Sequence, residues 1–101
     1  MKIVWTEPTS TDLENIKNFI KKDSDYFAEI FPLKIIKAVD VLENNPEIGR
    51  IVPEFNKKYI REIIFKNYRI IYKIDNDTVY ILTVIHSARD LTRYVKESDA
   101  T

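Results

Sequence analysis

The chain has 101 residues, 45% of them hydrophobic, with 16 basic side chains balancing 16 acidic ones and no cysteine. This length suits one domain, and the composition is that of a folded globular chain rather than a disordered one. A disulfide framework and a thiolate metal site are excluded, and one histidine without ligand spacing points to no metal and no cofactor. No apolar run approaches the ~20 residues of a membrane span. The opening MKIVWTEPTS has no signal-like apolar segment, so the expectation is a cytoplasmic protein with no membrane partner.

In chain order, Lys2 to Thr6 reads as a short strand. After Pro8, the residues Thr9, Ser10, Thr11 and Asp12 offer N-cap side chains for a first helix, whose apolar positions Leu13, Ile16, Phe19 and Ile20 recur at the helical period. Asp23-Ser24-Asp25 breaks that pattern and caps a second helix, with Ala28, Phe31, Ile35, Ala38 and Leu42 in one stripe. Pro32 inside this run predicts a kink or a later helix start. Asn44-Asn45-Pro46 ends the helix. Strands follow at Tyr59 to Phe65, Tyr68 to Ile74 and Thr78 to His86, the first two joined by Lys66-Asn67. The prediction is a single α+β domain over 1–101, with order β-α-α-β-β-β and a helical hairpin on one face of an antiparallel sheet. The ordered core spans about 2–94, before a short polar tail.

Two-residue turns would pair Phe65 with Tyr68 and Asp75 with Thr78, and alternation then sorts side chains by face. Ile63, Ile70, Tyr72, Val79, Ile81 and Ile85 fall on a helix-facing side. Glu62, Arg69, Lys73, Tyr80 and His86 fall on the other, near Ser87, Arg89, Asp90, Arg93 and Tyr94. Residues 50 to 73 carry seven basic side chains (Arg50, Lys57, Lys58, Arg61, Lys66, Arg69, Lys73) against Glu54 and Glu62, so the neutral total hides a local positive segment. Chemically, Arg69 and Arg89 could grip a phosphate, His86 could exchange a proton, and Tyr94 could stack on a base. The plainer reading pairs Arg69 with Glu62 across strands and has Arg61 pair with a helix carboxylate or snorkel at the sheet margin. Of the surplus apolar residues Phe27, Ile30, Leu33, Ile36 and Val41, some must be exposed and mark a partner surface.

The ordered set of Trp5, NPEIGRIVPEF (Asn45 to Phe55), YIREIIFKNYRIIYKI (Tyr59 to Ile74) and VYILTVIHSARDL (Val79 to Leu91) resembles the RelE/ParE family of type II toxin–antitoxin toxins. The resemblance covers about residues 2 to 94 and implies the same fold. It implies a cognate antitoxin, a higher-order toxin–antitoxin complex, and a cellular target that is either DNA gyrase (ParE-like) or the ribosome with mRNA (RelE-like). Under the RelE-like alternative the chain is a metal-free endoribonuclease. Its catalytic candidates are Arg69, in the YR-x-x-Y strand, with His86, Arg89 and Tyr94 and with Glu54 as a base. The lysines that RelE-like members carry on the preceding strand fall at Ile60 and Glu62, and IHSARDL is more similar to ParE-type members. The leading expectation is therefore a ParE-like gyrase poison. The second is the nuclease, and the third is a degenerate toxin that only binds antitoxin. Phe27, Ile30 and Ile36 are the antitoxin-binding candidates.

Overall fold

The computed structural model describes residues 1–96; the end of the polar tail, 97–101, lies outside them. Its elements are β1 (Lys2–Trp5), α1 (Glu7–Lys21), α2 (Asp25–Asp40), β2 (Arg50–Ile51), β3 (Ile60–Phe65), β4 (Tyr68–Asp75) and β5 (Thr78–His86). Short 3₁₀ turns at Val41–Glu43 and Leu91–Arg93 follow α2 and β5. The five strands form one sheet in the order β1-β5-β4-β3-β2. The α+β architecture agrees with the expectation, with two refinements. β1 lies parallel to β5, and two residues of the Gly49 loop add β2 at the far edge.

Both helix starts have a local cause. α1 begins before the expected cap residues, at Glu7, with Pro8 in its first turn, where a missing N–H costs nothing. Thr9 and Asp12 are thereby released to act across the fold. The hydroxyls of Thr6 and Thr9 donate to the Ile81 carbonyl at 2.6 and 2.7 Å. α2 is capped as expected, Ser24 Oγ accepting from the Phe27 N–H at 3.2 Å. It runs on through Pro32, which withdraws the one hydrogen bond that Ala28 would receive.

Phe31, Ile35 and Val39 of α2, with Leu42 of the turn that follows it, bury one stripe against Ile70, Tyr72, Val79, Ile81 and Val84 of the sheet, and α1 adds Leu13, Ile16 and Ile20. Burying such side chains contributes roughly 1.5–3 kcal/mol each. A second, smaller core occupies the opposite face, where Ile60, Ile71 and Ile85 meet Val52 and Phe55 of the connecting loop and Leu91 of the last turn. This face is covered, not the open polar surface that alternation suggested.

The hairpin registers Phe65↔Tyr68 and Asp75↔Thr78 are as expected, with Lys66 (φ 53°) and Asn76 (φ 56°) taking the left-handed conformation that starts each tight turn. The departure comes midway along β5. Tyr72 pairs with Ile81 but Ile71 pairs with Thr83, so Leu82 is the extra residue of a β-bulge. Beyond it every side chain changes face. Val84 joins the helix-side core, His86 stands opposite Tyr68, and Ile85 turns to the Arg69 side. The bulge is pinned from α1: one carboxylate oxygen of Asp12 accepts both the Thr83 hydroxyl and the Val84 N–H, the latter at 3.2 Å.

Candidate functional site

The five residues singled out for RNA chemistry separate into two groups. Arg69 and Glu54 belong to an ion cluster within the smaller core. Arg69, 5% exposed, is placed on β4 beside Ile85 and across from the neighbouring strand's Ile64. Its Nε and Nη2 each lie 2.7 Å from Glu62 Oε1. Its Nη1 and Nη2 grip the two oxygens of Glu54, both at 2.7 Å, and Nη1 also reaches the Arg89 carbonyl at 3.0 Å. A guanidinium has five N–H bonds, and four of them are spent in hydrogen bonds to Glu62, Glu54 and the Arg89 carbonyl, with the Nη2–Glu62 ion pair beside them. Glu62, 1% exposed, takes a further bond from Arg50 Nε. Glu54 also accepts the Leu91 N–H at 2.9 Å, so it ties the last turn to the sheet.

Electrostatics follow from this geometry. Arg69's hydrogen bonds hold the Glu54 carboxyl down at about 2, against 4.5 for an ordinary glutamate, and the Leu91 N–H assists. The Glu54 bond raises Arg69 above the usual arginine range, with Glu62 adding to it. Both groups are locked in their charged forms. A carboxylate this weakly basic is a poor acceptor for a proton near neutral pH. The expected cross-strand pair between Arg69 and Glu62 is present. Arg61 is likewise spent on structure, but on backbone rather than a helix carboxylate: it donates to the carbonyls of Lys58, Glu47 and Gly49 at 2.9–3.2 Å.

The other three candidates come together elsewhere. His86, Arg89 and Tyr94 line an open cleft of about 390 Å³ with Asp12, Asn15, Ile16 and Phe19 of α1 and Tyr68 of β4. The bulge puts His86 there, and its ring meets Tyr68 edge-on at 6.1 Å. His86 Nδ1 accepts the Ala88 N–H at 3.1 Å, which leaves Nε2 to carry the hydrogen of the neutral ring. Arg89 donates to the Tyr94 hydroxyl and lies 5.9 Å from that ring's centroid. Phe19, on the apolar stripe expected to be core, is instead 64% exposed at this cleft, and with Asp12, Asn15 and Tyr68 it was not among the expected site residues. No group of histidine and acidic side chains that could hold a metal ion occurs among the described residues.

A third surface is the outward side of α2. Tyr26, Phe27, Leu33 and Ile36 are exposed and Ile30 is half-buried. The three antitoxin candidates do not line one groove. Phe27 and Ile36 are nine positions apart, about two and a half turns, so they project from opposite flanks of the helix with Ile30 between them.

Comparison with known proteins agrees with this fold. Residues 3–91 match the family model of the ParE toxin of the type II toxin–antitoxin system, parDE. A curated relative, Toxin RelE2 of Caulobacter vibrioides, is 28% identical over 88 residues, which is 87% of this chain and 97% of that one. Among solved structures, the chromosomal ParDE toxin–antitoxin system of P. aeruginosa superposes with a TM-score of 0.71 at 17% identity, covering 85% of this chain and 95% of that one. The toxin–antitoxin complex RelBE2 of Mycobacterium tuberculosis gives a TM-score of 0.51 at 20% identity, with 84% and 95% covered.

Proposed function

The chain belongs to the ParE toxin family of type II toxin–antitoxin systems, and from that premise we propose that it poisons its target by protein–protein contact rather than by cutting RNA. The observation that carries this is the ion cluster. Arg69 is buried and spends four of its five N–H groups on protein oxygens rather than on a phosphate, and Glu54 is too weak a base to draw a proton from a ribose hydroxyl. Glu62 is buried where the RelE-like members place a lysine, which takes positive charge away from an RNA path. DNA gyrase is the target in this reading, in keeping with the ParE-type ending IHSARDL. A cognate antitoxin neutralises the toxin by covering apolar surface on α2, with Ile30 and its flanking neighbours Phe27 and Ile36 as contacts. The chromosomal ParDE system and the RelBE2 complex, both built with this fold, support an antitoxin partner.

The test is expression of the chain without antitoxin. Gyrase poisoning produces DNA-damage signalling and filamentation while bulk protein synthesis continues, and purified gyrase loses supercoiling activity when the toxin is added. An immediate arrest of translation with mRNA cleavage would sink this reading. It would favour the ribosome-dependent nuclease, which has one observation behind it: His86, Arg89 and Tyr94 do converge on an open cleft. In that case His86→Ala and Arg89→Ala, both at exposed positions, abolish toxicity in a folded protein.

A further inference from the structure

We propose that the isolated chain pairs with a second copy of itself through the outward ridge of α2, antiparallel about a two-fold axis at Leu33. The ridge runs Tyr26, Ile30, Leu33, Lys37, at steps of four, three and four, so these side chains lie in one row along the helix. It faces away from the buried stripe of Ala28, Phe31, Ile35 and Val39; Tyr26 is 68% and Leu33 65% exposed, Lys37 is exposed, and Ile30 between them is half-buried.

The sequence of the ridge is what selects the occupant. In a two-fold antiparallel pair centred on Leu33, residues equally spaced on either side of it come opposite one another. Glu29 and Lys37 are each four positions away, Ile30 and Ile36 three, Tyr26 and Asp40 seven. The symmetry therefore sets Glu29 against Lys37 of the second copy twice over. It sets Ile30 against Ile36 twice, brings each Tyr26 hydroxyl toward an Asp40 carboxylate, and packs Leu33 on Leu33. A parallel pair in register would instead oppose Lys37 to Lys37 and Glu29 to Glu29, which is repulsive. Glu29 meets Lys17 at 3.6 Å and stays 75% exposed, so it is available to a second lysine. A single 16-residue helix against its copy falls below the size of standard interfaces. The association is accordingly weak and concentration-dependent, and an antitoxin docking on Ile30 or Ile36 would compete with it.

Sedimentation equilibrium of the purified full chain, with no antitoxin present, reads the proposal separately from any reading of toxin action. The mass rises from 12.0 kDa toward twice that as the chain approaches millimolar concentration. Leu33→Asp abolishes the rise while the circular-dichroism melt is unchanged. Glu29→Lys and Lys37→Glu each weaken the dimer by about tenfold, since each turns both cross pairs into like charges. The double variant, which swaps the charges, restores it. A chain that stays at 12.0 kDa throughout would overturn the proposal. So would a dimer indifferent to Leu33→Asp, or a double variant no stronger than the singles.

Discussion

Replacing Glu54 by glutamine changes one charge in the most densely bonded part of the molecule, and its consequence can be worked out in advance. In the folded chain the Glu54 carboxyl sits at about 2, and unfolded it returns to 4.5. That difference is worth about 3 kcal/mol at pH values well above both, and the side chain is only 19% exposed, so solvent screening removes little of it. The sign is that of a depressed acid. The stabilisation is fully present above 4.5 and disappears as the pH falls from there to about 2. Against a typical domain stability of about 5–15 kcal/mol this is a large share. Urea denaturation of the wild type should therefore show a steep fall in midpoint across that window, and Glu54→Gln should show a shallower one, the two curves converging at the acid end. Arg69→Ala goes further. It leaves Glu54 and the buried Glu62 facing each other without their shared cation, at a cost of about 3–5 kcal/mol. Parallel acid curves for wild type and Glu54→Gln would refute the reasoning, because the cluster would then add nothing specific to the folded state.

The remaining predictions concern the supports of the two faces. A Cβ at Gly49 would fall 2.5 Å from the Tyr72 hydroxyl and 2.6 Å from the Glu62 carbonyl, so Gly49→Ala should lower thermal stability by about 1–3 kcal/mol. Tyr72→Phe removes the hydroxyl that accepts from the Gly49 N–H and donates to the Pro46 carbonyl, leaving both unpaired at about 1–3 kcal/mol in chemical denaturation. Asp12→Ala unpins the bulge. Amide exchange at Val84 should accelerate and the His86 ring resonances should shift, with little change at Arg69.

The order of elements was legible because most carry a local signature: the helical stripes, Ser24 as a cap, and two-residue turns containing Asn, although the first hairpin takes its positive φ at Lys66 and not at Asn67. The parallel placement of β1 was not, since a four-residue strand carries no mark of its partner. The candidate site was half legible. The Arg69–Glu62 pair follows from register alone. The bulge does not, because Tyr80 to Ile85 is apolar at nearly every position and satisfies either phase of the alternation. Only the three consecutive buried residues Thr83, Val84 and Ile85 betray it, and burial is not written in the sequence. Glu54 is a similar case: its loop is brought to Arg69 by Val52 and Phe55 packing on Ile60 and Ile71, a contact between segments with no periodicity in common.

Leu82 makes the chemistry of the last strand depend on counting rather than on composition. Threading the strand through Leu82 without a bulge would pair Leu82 with Ile71 and send His86 through the sheet to the surface that holds Arg69, whereas deleting Leu82 would remove the bulge and leave His86 opposite Tyr68. On this sheet, whether an extra residue in this stretch is absorbed by a bulge therefore decides the side of the terminal residues more than most substitutions do. Two chains with identical terminal motifs can present them on opposite sides, so motif matching across this strand is informative only once the bulge has been located in both.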